Sequence, residues 1–206
     1  GCMYVNYKAE YIRLLDLCQA IGGVKGSILK VIYKIAIVVG ATGWYEHLPE
    51  IEKQVRESNI GFLWSANFSI GVNVYCQLAA EAARLINNFP EYDIWGHEIH
   101  HNQKIDSPSG TTKKLEEILL KNIKRKTKII EDRLNRKIEP AEIHFSSTRG
   151  GPVNFTHTIG LDSAADTITI THTARDRSGY ALGAVKAAEW LRGKHGFYSM
   201  DDFIQI

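Results

Sequence analysis

The segment "IAIVVGATGW" (35–44) constrains the fold of this chain more than any other. It is a continuous, largely β-branched apolar run that breaks into glycines. Such a run has no polar face to offer water, so it suits a strand covered on both sides, as in a parallel sheet flanked by helices. The next stretch, "HLPEIEKQVRES" (47–58), spaces its apolar residues as an amphipathic helix, and "IGFLWSANF" (60–68) reads as a second buried strand. Strand, helix, strand is a βα unit, so this half is expected to be α/β. Upstream, "KAEYIRLLDLCQAI" (8–21) also carries helical spacing and is followed by Gly22-Gly23.

From Ser69 to Asn88 the pattern predicts a long helix, capped by Ser69 or Asn67 and closed before Pro90. The character then changes. "YDIWGHEIHH" (92–101), "AEIHFSSTR" (141–149), "VNFTHTIGL" (153–161) and "DTITITHTA" (166–174) alternate polar and apolar residues, the mark of a mainly antiparallel sheet with one open face. A helix is expected between the first two, over about Thr111 to Lys124. Another, "SGYALGAVKAAEWLRGK" (178–194), lies near the end of the chain. The fold class is therefore α/β, followed by an α+β domain with a mainly antiparallel sheet.

Composition narrows the function classes. With 44% hydrophobic and 23% charged residues among 206, the chain can bury a sizeable core and is not disordered. A formal net charge of +2 is too small to imply a nucleic-acid or membrane partner. The most basic run, "KNIKRKTK" (121–128), is read as a solvated face. Three widely spaced cysteines, Cys2, Cys18 and Cys76, with no C-x-x-C, favour a reducing compartment. No early apolar run is long enough to span a bilayer, so a cytoplasmic location is expected.

The densest chemistry lies in "WGHEIHHNQKIDSPSGTT" (95–112). His97-Glu98-Ile99-His100-His101 spells H-E-x-x-H, which binds zinc only when a helix brings its two histidines to one face. Gly96, the β-formers before it and Pro108 after it deny that helix, and His144, His157 and His172 fall on separate predicted strands. No metal is expected. As a strand, period two puts Glu98 and His100 on one face, joined by Lys104 if the extended chain persists, with His101 on the other. "DSPSGTT" (106–112) then turns into a helix, with a Ser before Pro at its first position. Free N–H groups at that helix start, beside the hydroxyls of Ser109, Thr111 and Thr112, would form a carboxylate or phosphate cradle. The chemistry this suits is proton transfer on a small anionic substrate; the plainer alternative is a solvated strand end with a routine cap.

Written out, His100-His101-x-x-Lys104-x-Asp106-x-Pro108-Ser109-Gly110-Thr111 closely resembles the signature of the dihydrodipicolinate reductase family, E-x-H-H-x-x-K-x-D-x-P-S-G-T. Other segments agree in order: "VVGATGWY" (38–45), "SANFSIGVN" (65–73), "ITHTARDRSGYALGAVKAAEWL" (170–191) and "GFYSMDDF" (196–203). The resemblance spans about residues 35 to 206. It implies a partial Rossmann-like parallel sheet, with 1–68 joined by 178–206 as a partial dinucleotide-binding domain and 69–177 as the substrate-binding, catalytic and oligomerisation domain. It implies reduction of a cyclic imine dicarboxylate by NADH or NADPH in lysine (diaminopimelate) biosynthesis, by a homotetramer paired through the antiparallel sheet. It implies His100 and Lys104 as the catalytic proton donors, and His101, Ser109, Gly110 and Thr111 as substrate-binding residues. Gly40, Ala41 and Thr42, with Ser65, Ala66, Asn67 and Phe68, would meet the nicotinamide side of the cofactor. Ala41 stands where the family usually has Thr, which removes a hydroxyl but leaves backbone contacts.

One part of the family pattern is missing. Members open with a strand and a G-x-x-G-x-M-G turn for the cofactor pyrophosphate, whereas Gly22-Gly23-Val24-Lys25-Gly26-Ser27 follows a helical pattern and makes a poor phosphate fingerprint. Truncation is the favoured explanation, beside a gap in the numbering or a true variant. The leading expectation remains the reductase. The alternatives are an inactive homologue serving only as an oligomerisation or binding module, a nicotinamide-linked reductase of a related substrate and, last, a zinc hydrolase.

Overall fold

The computed structural model describes residues 36–205. The expected helix over 8–21 and the Gly22–Ser27 cluster lie outside the described residues. The chain divides into two compact units, one formed by residues up to Asn73 together with the segment from Ser178 onward, the other by Val74–Arg177.

In the first unit, β1 (Ile37–Val39), β2 (Gly61–Trp64) and β8 (Gly196–Ser199) form a parallel sheet in the order β1-β2-β8. Period two explains why both strand sequences are apolar throughout. Phe62 joins a cluster with Ile37, Val39, Trp44, Val55 and Ile60, while its neighbour Leu63 joins Phe68, Ala184, Ala187, Leu191, Met200 and Phe203. Both faces are buried, which a polar alternate residue would not survive. Helix α1 (Leu48–Ser58) follows β1, carries Pro49 in its first turn and ends on Asn59 in the left-handed region. Helix α4 (Ser178–Leu191) and the short α5 (Met200–Ile204) supply the second cluster. Gly183 lets α4 meet the chain after β2, because a Cβ there would sit 1.7 Å from the Phe68 carbonyl oxygen.

Helix α2 (Ile70–Ile86) runs across the division between the units. Its start uses both expected residues: Ser69 Oγ accepts from the Val72 N–H, and Asn67 Oδ1 accepts from the Ser69 N–H.

The second unit is built on β3 (Asp93–His100), β4 (Lys128–Ile130), β5 (Glu142–Arg149), β6 (Phe155–Asp162) and β7 (Thr167–Ala174), ordered β4-β5-β3-β6-β7. The long pairings β3–β6 and β6–β7 are antiparallel, whereas β3–β5 and β4–β5 are parallel. The parallel pairings arise because α3 (Gly110–Asn122) returns the chain to the same end of the sheet before β4, and residues 131–141 return it again before β5. Strand residues alternate as the sequence implied. Ile94, Glu98, His100, Phe145, Phe155, His157 and Ile159 are buried. On the other face Thr156 pairs with Thr173 and Thr158 with Thr171 through exposed hydroxyls.

In the basic run 121–128, Lys121, Lys124 and Lys128 are exposed as expected of a solvated face, but Arg125 is half-buried and Lys126 is not solvated. Lys126 is buried, and its ammonium donates to Asp93 Oδ1 at 2.5 Å and to the carbonyls of Pro140 and Glu142 at 2.8 and 2.9 Å. Arg125 donates to the carbonyls of Ile86, Asn87 and Tyr92. These cations stitch the strand starts together, with the apolar lysine stem packed inside and every proton of the head group used. Helix α3 ends at Asn122, and Lys128 already belongs to β4.

Candidate active site

The signature residues gather at one end of β3. The strand stops at His100, and the chain then turns, the Lys104 N–H donating to the His101 carbonyl. The extended chain thus does not persist to Lys104, and the face it occupies is set by the loop. His101 is half-buried beyond the strand end. Lys104 Nζ donates to both oxygens of Asp106, at 2.7 and 2.8 Å, and this ion pair holds the Asp106 carboxyl below its ordinary range.

Helix α3 begins at Gly110 with Ser109 as its N-cap, so Pro108 precedes the cap and does not occupy the first helical position. Ser109 Oγ accepts from the Thr112 N–H at 3.2 Å and lies 3.0 Å from His157 Nε2. Its hydroxyl and that of Thr112 therefore face the interior. At the helix start, Gly110 is exposed and Thr111 half-buried. No Cβ-blocking atom lies within 4 Å of Gly110. With the Thr112 N–H taken by the cap, the Gly110 and Thr111 N–H groups of this first turn have no intrahelical acceptor, which suits an incoming carboxylate.

Beneath these residues sits Glu98, fully buried. Both of its oxygens accept from the Ser109 N–H at 3.1 Å. Oε1 also takes the Ser147 hydroxyl at 2.9 Å and Arg149 Nη2 at 2.7 Å, and Oε2 takes the Thr112 hydroxyl at 2.7 Å. Burial pushes this carboxyl up, but hydrogen bonds from His157, Ser109, Thr112 and Arg149 outweigh it and leave it well below the ordinary range. His100 Nε2 and His157 Nε2 each lie 3.4 Å from Glu98 Oε2. The His100 ring stacks on Phe155 at 5.6 Å and meets His157 edge-on at 5.2 Å. Burial pushes the His100 imidazole down to about 4. Glu98 pulls it up, while His157, Lys104 and Arg149 push further down.

The strand reading of H-E-I-H-H holds. His97 points to the face opposite Glu98, its Nδ1 3.0 Å from Ser146 Oγ, and His101 falls beyond the strand end, so no helix brings the two histidines of the zinc pattern to one face. A different trio, Glu98, His100 and His157, does bring ligand-type atoms within 4.8 Å of one another. The donor set fits a metal poorly: hydroxyls, a backbone N–H and a guanidinium already fill the carboxylate. Arg149, His157 and Ser147 were absent from the expected site; Glu98 was placed on the His100 face without a role, and the Thr112 hydroxyl, expected at the cradle, donates to Glu98 instead. For Glu98 and His157 the sequence held one usable signal, alternation along β3 and β6. The register then sets Glu98 opposite His157 on β6 and beside Ser147 on β5, and His100 opposite Phe155 and beside Arg149.

In the other unit, the loops after β1 and β2 adjoin, the Ser65 N–H donating to the Val39 carbonyl at 3.0 Å. Gly40, Thr42 and Ala66 are exposed, Ala41 and Asn67 half-buried, and Ser65 and Phe68 buried. Ser65 Oγ donates to the Asn67 carbonyl and accepts its N–H, which fixes the second loop. Trp44 Nε1 donates to the Ala41 carbonyl and fixes the first. Exposed backbone at the carboxyl ends of adjacent parallel strands fits a planar cofactor ring.

Comparison with known proteins bears on the family and the fold. The family described as "Dihydrodipicolinate reductase, C-terminus" matches residues 71–204. A 4-hydroxy-tetrahydrodipicolinate reductase of Christiangramia forsetii is 38% identical over 173 residues, covering 84% of this chain and 70% of the relative. One of Aquifex aeolicus is 38% identical, covering 86% and 67%, and one of Archaeoglobus fulgidus 35% identical, covering 93% and 75%. Among solved structures, a dipicolinate-bound dihydrodipicolinate reductase from Paenisporosarcina sp. TG-14 shares the fold with a TM-score of 0.63 at 21% identity, over 80% of this chain and 63% of that one. A sheet-end histidine pair, a capped helix and a matching C-terminal family together lead to one conclusion: this chain belongs to the dihydrodipicolinate reductase family.

Proposed function

We propose that the chain carries out the reaction for which its relatives are named, nicotinamide-dependent reduction of a dihydrodipicolinate-type cyclic imine dicarboxylate in lysine (diaminopimelate) biosynthesis. The observation that supports this most is the convergence on Glu98 of His100 and the Ser109 cap of α3. A proton donor and a carboxylate cradle held on one buried anchor would suit that reaction.

The roles follow from the chemistry of each side chain. The free backbone N–H groups at Gly110 and Thr111 hold one substrate carboxylate, and Lys104, released from Asp106, holds the dianion by charge. His101 borders the same loop. His100 donates the proton that balances hydride addition to the ring. Because burial and neighbouring cations keep its imidazole neutral in the free protein, a bound dicarboxylate is the anion that favours its charged form. Gly40–Thr42 and Ser65–Phe68 hold the nicotinamide side of NADH or NADPH, which supplies the hydride when bound. The first domain is thus a partial cofactor domain and Val74–Arg177 the substrate domain. Homotetramer assembly and a cytoplasmic location belong to the same proposal; among the described residues no helix is long and apolar enough to cross a membrane.

The test is oxidation of NADH and of NADPH with the enzymatically generated dicarboxylate substrate, repeated for His100→Ala and Lys104→Ala. Each variant is expected to lose roughly 10²–10⁴-fold in kcat. Turnover absent in the parent protein while pyridine-2,6-dicarboxylate still binds would instead establish the inactive binding module. That second reading is the less favoured, since the relatives compared above are named as reductases.

A further inference from the structure

We propose that Glu98 is the positioning residue of this site, one buried carboxylate that fixes the carboxylate cradle and serves as the counter-charge for His100. The inference rests on the reductase reading and assigns a role to a residue that does not itself touch substrate.

The geometry carries it. Glu98 lies on the buried face of β3, two residues before His100. It receives the backbone N–H of the α3 N-cap on both oxygens, and the Thr112 hydroxyl from the first turn of the same helix. The helix start that offers Gly110 and Thr111 is therefore tied to the strand that ends in His100. Ser147 and Arg149 complete the shell from β5, and Arg149 Nη2 also donates to the Asp106 carbonyl at 2.6 Å. The loop bearing Lys104 is thereby joined to the same carboxylate.

A purely structural cap would not need a charge. An uncharged amide could accept the Ser109 N–H, and removing a carboxylate from water is costly unless its charge is used. The use lies 3.4 Å away. His100 Nε2 is buried and has no hydrogen-bond partner among the described residues. The groups facing this ring are Glu98 from β3, Arg149 from β5, Phe155 and His157 from β6, and Lys104 from the loop. Two are cations, one is a second imidazole and one is apolar. Glu98 is the sole anion in that set, so it alone favours the protonated ring that the chemistry consumes. His172, paired across from His157 on β7, adds no anion.

Glu98→Gln preserves size and leaves an amide oxygen for the cap while removing the charge. The protein is compared with this variant by NMR titration of the His100 ring and by the pH dependence of kcat. In E98Q the His100 titration is expected to move down by about one pH unit, and kcat at neutral pH to fall about tenfold or more, with its limb displaced to lower pH. Should E98Q fail to fold, Thr112→Val supplies the second measurement. It strips the hydroxyl from Oε2, the oxygen facing His100, and leaves the charge, so the His100 titration moves up. An unchanged His100 titration with an unchanged kcat profile in E98Q, or an unchanged titration in T112V, overturns the proposal and leaves Glu98 a cap alone. Absence of turnover in the parent protein overturns the reductase reading instead, and the ring titration still decides the role of Glu98.

Discussion

Arg149 Nη2 donates to Glu98 Oε1 at 2.7 Å, and this contact pairs a carboxylate with no exposed surface. Breaking one half of such a pair is more damaging than removing both, because the survivor stays buried without its partner. Arg149→Met is therefore expected to cost about 3 kcal/mol of folding stability, measured by urea denaturation. It also frees the Asp106 carbonyl, so amide exchange over 101–108 should quicken in the same variant.

Gly96 faces Phe145 across the β3–β5 pairing, and a Cβ at Gly96 would fall 2.0 Å from the aromatic ring. Gly96→Ala cannot be absorbed by a small rotation in a packed sheet. A loss of about 1–3 kcal/mol is expected, with thermal denaturation as the measurement. Gly96→Ala with Phe145→Leu should recover part of that loss.

Glu116 on α3 is buried, 3.6 Å from Lys113, with Glu131 nearby. Burial first, then repulsion from Glu131, raises its carboxyl to about 7, against the pull of Lys113. A folded-state value above the unfolded one means that this group's stabilisation is complete below the unfolded value of about 4.3 and is lost as pH rises through 7. Glu116→Gln should thus gain stability relative to the parent at pH 8, by on the order of 1–3 kcal/mol, and little at pH 4. Paired urea melts at the two pH values check the sign.

His100 acts in the opposite direction. Its folded value of about 4 lies below the ordinary 6.5, so the unfolded chain binds the extra proton between those values. Stability contributed by the neutral ring is present above pH 6.5 and lost as pH falls toward 4. His100→Phe should flatten the acid side of the stability profile, visible in the same melts.

Ser109 caps α3 and lies against His157 Nε2. Ser109→Ala removes both contacts and is expected to cost about 1–2 kcal/mol. Because the helix start loosens with it, affinity for pyridine-2,6-dicarboxylate should fall about tenfold by calorimetry, and Ser109→Thr should restore most of it.

Much of the fold was legible because period and punctuation are local. "IAIVVGATGW" and "IGFLWSANF" declared a doubly covered parallel sheet through unbroken apolar character, and alternation in 92–174 declared an open-faced one. Gly96 and Pro108 were enough to refuse H-E-I-H-H its helix. That Lys126, alone among the lysines of the basic run 121–128, is buried was not legible, for an equally physical reason. Whether a lysine is solvated or buried depends on acceptors supplied by Asp93, Pro140 and Glu142, none of them close in sequence. The parallel pairing of β3 with β5 was likewise silent, since it follows from where α3 and then residues 131–141 return the chain.

By itself, the sequence determined the element types, the candidate donors His100 and Lys104 and the helix start at Ser109–Thr111, all set by interactions within a few residues. Only the tertiary structure decided that Glu98 lies beneath them with Arg149, Ser147 and His157 around it. Those partners come from β5 and β6, 49 to 59 residues away along the chain. The register of three strands brings them together, and a buried charge becomes tolerable only once every donor around it is in place.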